Sequence, residues 1–121
     1  YLHIEKDNCF LAAGLWRPEP RALAGIRALI KEKPVDWGKA VQSKAFKQAY
    51  TLGGRSLTRP PKGYTQEDPF LEDLKRKDFM AVHNFSSQEA MSADFVKMVK
   101  KKYGFATPYM RFLCEGVGIP F

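Results

Sequence analysis

The chain has 121 residues, a net charge of +7, and is 45% hydrophobic and 13% aromatic. That length suits one domain, and that composition can bury a core, which excludes a disordered chain. The excess of Lys and Arg points to anionic partners (nucleic acid, phosphorylated metabolites or a membrane surface) or else to a soluble basic surface with no dedicated partner.

Tyr1–Glu5 alternates, with Leu2 and Ile4 on one face and Tyr1, His3 and Glu5 on the other, as a strand does. Lys6-Asp7-Asn8 reads as a turn. Cys9–Trp16 is a nearly continuous apolar run of strand length, the pattern of a strand covered on both faces, and Pro18 and Pro20 end it. A lone hairpin is marginal in water, so the sheet needs further strands. Phe79–His83 is the best candidate, with Phe79–Val82 expected to pair with the opening hairpin.

Pro20 opens a helix to about Lys33, with Leu23, Ile26 and Ile30 on one face, and Pro34 stops it. Val35–Gln42 carries Trp37 and Val41 at helical spacing, and Ser43 can cap the next helix, which holds Phe46, Ala49 and Tyr50 and closes at Gly53-Gly54. Trp16 and Trp37 both lie in apolar patterns, so both are expected to be buried. Residues 55–68 form a stiff basic loop, and Asp68-Pro69 reads as the N-cap and first residue of another helix. Acidic residues crowd that helix's first turns and Lys75, Arg76 and Lys77 its last, a polarity that complements the helix dipole. Ser86-Ser87-Gln88-Glu89 fits a capping box with Phe85 placed to staple onto Ala90. Ser92 or Asp94 starts a helix with Phe95, Val99 and Tyr103 in line, which Gly104 ends. Thr107-Pro108 starts the last helix, broken by Gly116 and Gly118. The expected fold is α+β: a small antiparallel sheet, from the N-terminal hairpin and a later strand, with several helices packed on one face.

The chain opens on Tyr-Leu-His-Ile-Glu, with neither Met nor a basic leader, inside what reads as a strand. Residues 1–121 are therefore expected to form one domain that is the C-terminal portion of a longer one. The edge left open should favour self-association of such a fragment. Cys9 and Cys114 each sit in an apolar run and make no disulfide framework, which fits buried reduced thiols in the cytoplasm. No apolar run approaches the roughly 18 residues of a membrane span, so no membrane partner is expected.

Three motifs occur in order: Gly14-Leu15-Trp16-Arg17-Pro18-Glu19-Pro20, Arg59-Pro60-Pro61-Lys62-Gly63-Tyr64 and Leu74-Lys75-Arg76-Lys77-Asp78-Phe79. Together they resemble the bacterial and fungal family of conserved hypothetical proteins known as domain of unknown function 2461, from Tyr1-Leu2-His3-Ile4-Glu5 to Arg111-Phe112-Leu113. The resemblance implies no settled activity. It does imply a longer N-terminal region, rich in Arg, Lys and aromatic residues, that precedes the part seen here.

No catalytic signature is present. His3 and His83 have no Cys or carboxylate at ligand spacing, so neither a metal nor another cofactor is assigned. Were the first and third strands close, the two histidines would approach; a satisfied or exposed histidine is the simpler reading. There is no Gly-x-Ser-x-Gly, no Walker loop and no activated cysteine. Glu5, Glu19 and Asp78 are carboxylates of the kind that cap helices or sit in solvent.

The best site hypothesis is a phosphate clamp of side chains drawn from Arg17, Arg55, Arg59, Lys62, Lys75 and Lys77, since Arg suits bidentate contact with phosphate. Anion binding is expected at Arg17, Arg59, Lys75 and Lys77, converging at one rim of the sheet. The plainer alternative pairs Arg17 with Glu19 and Lys75 with Glu72. The cluster Lys97, Lys100, Lys101 and Lys102 lacks interleaved aromatics for base stacking, and so supports nucleic-acid binding weakly. Two functional readings follow. One is a binder of an anionic, phosphate-bearing small molecule, with or without an enzymatic reaction; the other is a non-catalytic interaction module for nucleic acid or protein.

Overall fold

Asp7 adopts a left-handed backbone with φ 63°, which Asp tolerates better than most residues, and so turns the chain back on itself. The computed structural model, which describes all residues from Tyr1 to Phe121, places β1 at Leu2–His3 and β2 at Cys9–Leu15 on either side of that turn. Three helices follow: α1 (Pro20–Glu32), α2 (Pro34–Gln42) and α3 (Lys44–Ala49). Prolines occupy the first positions of α1 and α2, where a missing N–H costs nothing. Ser43 caps α3 by accepting a hydrogen bond from the Phe46 N–H.

The chain then departs from expectation. The helix before Gly53-Gly54 ends at Ala49, and Thr51–Gly53 is a strand, β3. The glycines thus end a strand rather than cap a helix. Nor does Asp68-Pro69 start a helix: Asp68 accepts a hydrogen bond from the Thr65 N–H, and the single turn α4 (Leu71–Leu74) follows Phe70, whose φ of 59° is left-handed. The strand β4 (Phe79–Phe85) runs past its expected end at His83. Next come α5 (Ser87–Ala90), α6 (Phe95–Phe105) and α7 (Thr107–Val117). The capping box forms at Ser86 and Glu89. Gly116 lies inside α7 instead of ending it, and Gly118 supplies the left-handed C-cap.

The four strands form one antiparallel sheet in the order β1-β2-β4-β3. The strand expected at Phe79–Val82 pairs with the hairpin along all of β2, from Leu15 opposite Phe79 to Cys9 opposite Phe85. The outer side of β4 pairs with β3, with Leu52 opposite Ala81. The fold is α+β, as the patterning implied, with seven helices and this small sheet.

Alternation decides which side of the sheet is covered. From β2 and β4, Ala13, Leu15, Phe79 and Ala81 meet a main core built from Ile26, Ile30, Trp37, Phe46, Tyr109 and Leu113 of the helices. Cys9, Leu11 and Phe85 on the same side meet Ala90, Phe95, Val99 and Tyr103. The helices therefore occupy one face. At the α1–α7 crossing the backbones touch through glycines: a Cβ on Gly25 would lie 2.2 Å from the Gly116 carbonyl oxygen.

Candidate functional site on the open face of the sheet

The other face of the sheet carries no helix. The expectation that Cys9–Trp16 is covered on both faces fails here, and with it the expected burial of Trp16. Trp37 is fully buried, whereas Trp16 is 62% exposed. The physical reason is topological: every helix of the chain packs on the side of Ala13 and Leu15, so the alternate residues of β2 are left facing outward.

Those outward residues line a trough of about 630 Å³. Phe10, Ala12, Gly14 and Trp16 contribute from β2 and its end, Met80 and Val82 from β4, and Gly53 and Gly54 from β3 and its end, with Tyr1 at one corner. The floor is low at Ala12, Gly14 and Gly53, and Met80 and Val82 of β4 rise between β2 and β3. Gly14 cannot be anything larger: its φ is 135° and a Cβ would fall 1.7 Å from the Phe79 carbonyl oxygen. One end is walled by aromatic rings, His3 stacking on Phe10 at 4.9 Å between centroids. At the other end stands Trp16, with the Arg17 guanidinium 5.5 Å from its ring centroid.

A single buried carboxylate organises the Trp16 end. Asp78 is the one charged side chain that is fully buried. Its Oδ1 accepts from the Arg17 N–H at 2.8 Å, and its Oδ2 from the Arg55 N–H at 2.9 Å. The Arg55 guanidinium completes a two-pronged pair, Nε to Oδ2 at 2.9 Å and Nη2 to Oδ1 at 3.0 Å. The Arg55 side-chain bonds first, and then the backbone N–H groups of Arg55 and Arg17, outweigh burial and hold the Asp78 carboxyl well below the usual carboxylate range. Two unusual turns hang on this one group. Arg17 is a non-glycine residue with φ 49°, and Gly54 has φ 105°. Both turns border the trough.

The cations of the sequence hypothesis distribute as follows. Residues 55–57 run antiparallel to 75–78, with the Lys77 N–H donating to the Arg55 carbonyl and the Leu57 N–H to the Lys75 carbonyl. Asp78 joins Arg17 to this ribbon, so the backbones of Arg17, Arg55 and Lys77 come together. Arg59 lies exposed just beyond Leu57. Arg17, Arg59 and Lys77 make no ion pair, and the alternative Arg17–Glu19 pair does not form. The other alternative does: Lys75 meets Glu72 at 3.2 Å.

Arg76 faces the core side and pairs with Asp73 at 2.9 Å, while Asp73 also accepts from the Trp37 indole N–H at 2.8 Å. Arg27 donates to the Leu74 and Arg76 carbonyls. The motif Leu74–Phe79 is thus largely a structural joint, tying α1, α2 and the sheet.

His3 and His83 do not approach. His3 is opposite Phe10 and His83 opposite Leu11, so they lie on different faces. His83 Nδ1 meets the Ala49 carbonyl at 2.7 Å, as a donor. Cys9 and Cys114 are free thiols, the first buried. The sequence pattern reads Asp78 as a carboxylate in solvent or capping a helix and Gly54 as part of a helix end, and it gives Gly14 no structural role. The available signal was an Asp immediately before an apolar strand, where an unpaired charge would be intolerable.

No curated protein and no solved structure matches the chain. A family model, described as a conserved hypothetical protein (DUF2461), matches residues 1–112. The match spans the hairpin, the trough, the Asp78 joint and the helices up to Phe112 in α7, and the chain belongs to this family.

Proposed function

We propose that the open face of the sheet binds an anionic small molecule, with phosphate as the group best suited to the cations at its Trp16 end. The observation that carries this reading is the Arg17 turn. Asp78 holds Arg17 by its backbone N–H, in a left-handed conformation, and leaves its guanidinium unpaired against an exposed Trp16 at the edge of an apolar trough. Asp78 occupies Arg55, so the free cations are Arg17, Lys77 and, from the adjoining loop, Arg59. Lys75 joins them at little cost, since Glu72 is 85% exposed and surface pairs of this kind contribute about 0–1 kcal/mol. No helix is long and apolar enough to cross a membrane, and buried free Cys9 suits a reducing compartment such as the cytoplasm.

The test is phosphate and sulfate titration by calorimetry for the native chain, Arg17→Ala and Arg59→Ala. The native chain should bind more weakly as salt rises, and Arg17→Ala should lower affinity roughly tenfold or more, the worth of one charge-assisted hydrogen bond. Equal binding by all three proteins would end the reading.

The alternative is a non-catalytic interaction module for nucleic acid or protein. It draws on Lys97, Lys101 and Lys102 of α6, which border one shallow depression and make no ion pair. Salt-sensitive binding of an oligonucleotide that is abolished by substituting these lysines, and untouched by Arg17→Ala, would favour it.

A further inference from the structure

We infer that the ligand of this trough has a planar aromatic body attached to its phosphate, the chemistry of a nucleoside monophosphate; the inference rests on the anion reading above and specifies what the anion is attached to. The floor is the first reason. Gly14 and Gly53 lie on either side of Met80 across the strands, so the Met80 side chain stands between two positions that carry none. A ring can lie on that side chain.

Its walls are the second reason. Along β2 the outward positions from Phe10 to Trp16 span about 20 Å at the usual strand rise, with an aromatic group at each end. That distance suits a ring and its sugar, and the volume falls within the range of small-molecule sites. Trp16 is the most specific element. It is a large apolar ring left in water, and its position is fixed by the strained turn beside it. Arg17 covers one of its sides, which leaves a π-face for a stacked ring and a guanidinium within reach of that ring's phosphate.

Gly53 makes the inference testable without damage to the fold. A Cβ there meets nothing within 4 Å, and its backbone is not left-handed, so a larger residue projects into the trough alone. The experiment titrates the full chain with adenosine monophosphate, octyl phosphate and inorganic phosphate, following heat and tryptophan emission, and repeats this for Gly53→Leu, Trp16→Phe and Arg17→Ala. The nucleotide should bind at least tenfold tighter than inorganic phosphate and tighter than octyl phosphate. Its quenching of emission should vanish in Trp16→Phe. Gly53→Leu should reduce nucleotide affinity at least tenfold, with the melting temperature unchanged. Nucleotide binding no tighter than phosphate or octyl phosphate, or unaffected by Gly53→Leu, overturns the aromatic body. Phosphate binding that is lost in Arg17→Ala would then still uphold the anion site. Nucleotide binding indifferent to Arg17→Ala but lost in Gly53→Leu would reverse that outcome, keeping the ring and removing the clamp. No binding of any of the three overturns both.

Discussion

Gly54 sits against Asp78 so closely that a Cβ on the glycine would lie 2.6 Å from the Asp78 Cβ. The contact is between a left-handed glycine and the stem of a buried carboxylate, and neither can yield: Asp78 is fixed by four donated hydrogen bonds. Gly54→Ala should therefore lose both the conformational freedom of glycine and the close approach. A loss of about 2–3 kcal/mol is expected, at the upper end of ordinary substitutions. Urea denaturation measures it, with Gly53→Ala as the control that should change little.

Asp78 gives a pH signature. Its folded-state pKa is depressed, chiefly by the Arg55 side-chain bonds. Its contribution to stability is therefore complete above the unfolded carboxyl pKa of about 3.9 and is lost as pH falls from there toward the lower folded value. Asp78→Asn leaves buried donors poorly matched, at about 1–3 kcal/mol for each one unpaired. The stability gap between native chain and Asp78→Asn should be level from pH 7 to about 5 and narrow below about 4. A gap that widens on acidification would contradict the assignment.

The two tryptophans should behave oppositely. Trp37→Ala removes a fully buried ring and its bond to Asp73, and should cost about 3–5 kcal/mol. Trp16→Ala removes a ring mostly in solvent and should stay within about 0.5 kcal/mol. Thermal or urea midpoints of the two variants decide.

The glycines of the α1–α7 crossing make a third contrast. In Gly116→Ala the new methyl would lie 2.9 Å from the Ile26 Cα, backbone that cannot step aside, so the helices must part and stability falls by about 1–3 kcal/mol. Gly104→Ala, in α6, meets nothing within 4 Å and should stabilise by about 0.5–1 kcal/mol through helix propensity. Paired melting curves test both signs.

How far the sequence spoke depends on whether a feature is local. The turn at Asp7, the Ser43 cap and the Ser86–Glu89 box are contacts between near neighbours, and each is legible in a few letters. So is the partnership of Phe79–Val82 with the hairpin, because an apolar run after a charged turn has few places to go. β3 was not legible: three residues carry no periodicity, and only the free side of β4 makes them a strand. Trp16 looked like core because hydrophobicity does not say which face of a sheet its helices will choose. Asp78 was missed because its partners, Arg17 and Arg55, are remote in the chain and joined only by the fold. Of the cations proposed for a site, the Lys75–Glu72 pair was readable from helical spacing, whereas freedom from pairing at Arg17 and Lys77 is a property of three dimensions.

The two turns beside the trough share one carboxylate, and neither can loosen alone without stranding a buried charge. Breathing motions on that side of the sheet must accordingly be concerted. In a deuterium-exchange experiment the amides of Arg17 and Arg55, distant in sequence but both donating to Asp78, should exchange with the same opening free energy, and a ligand gripping either turn should slow both.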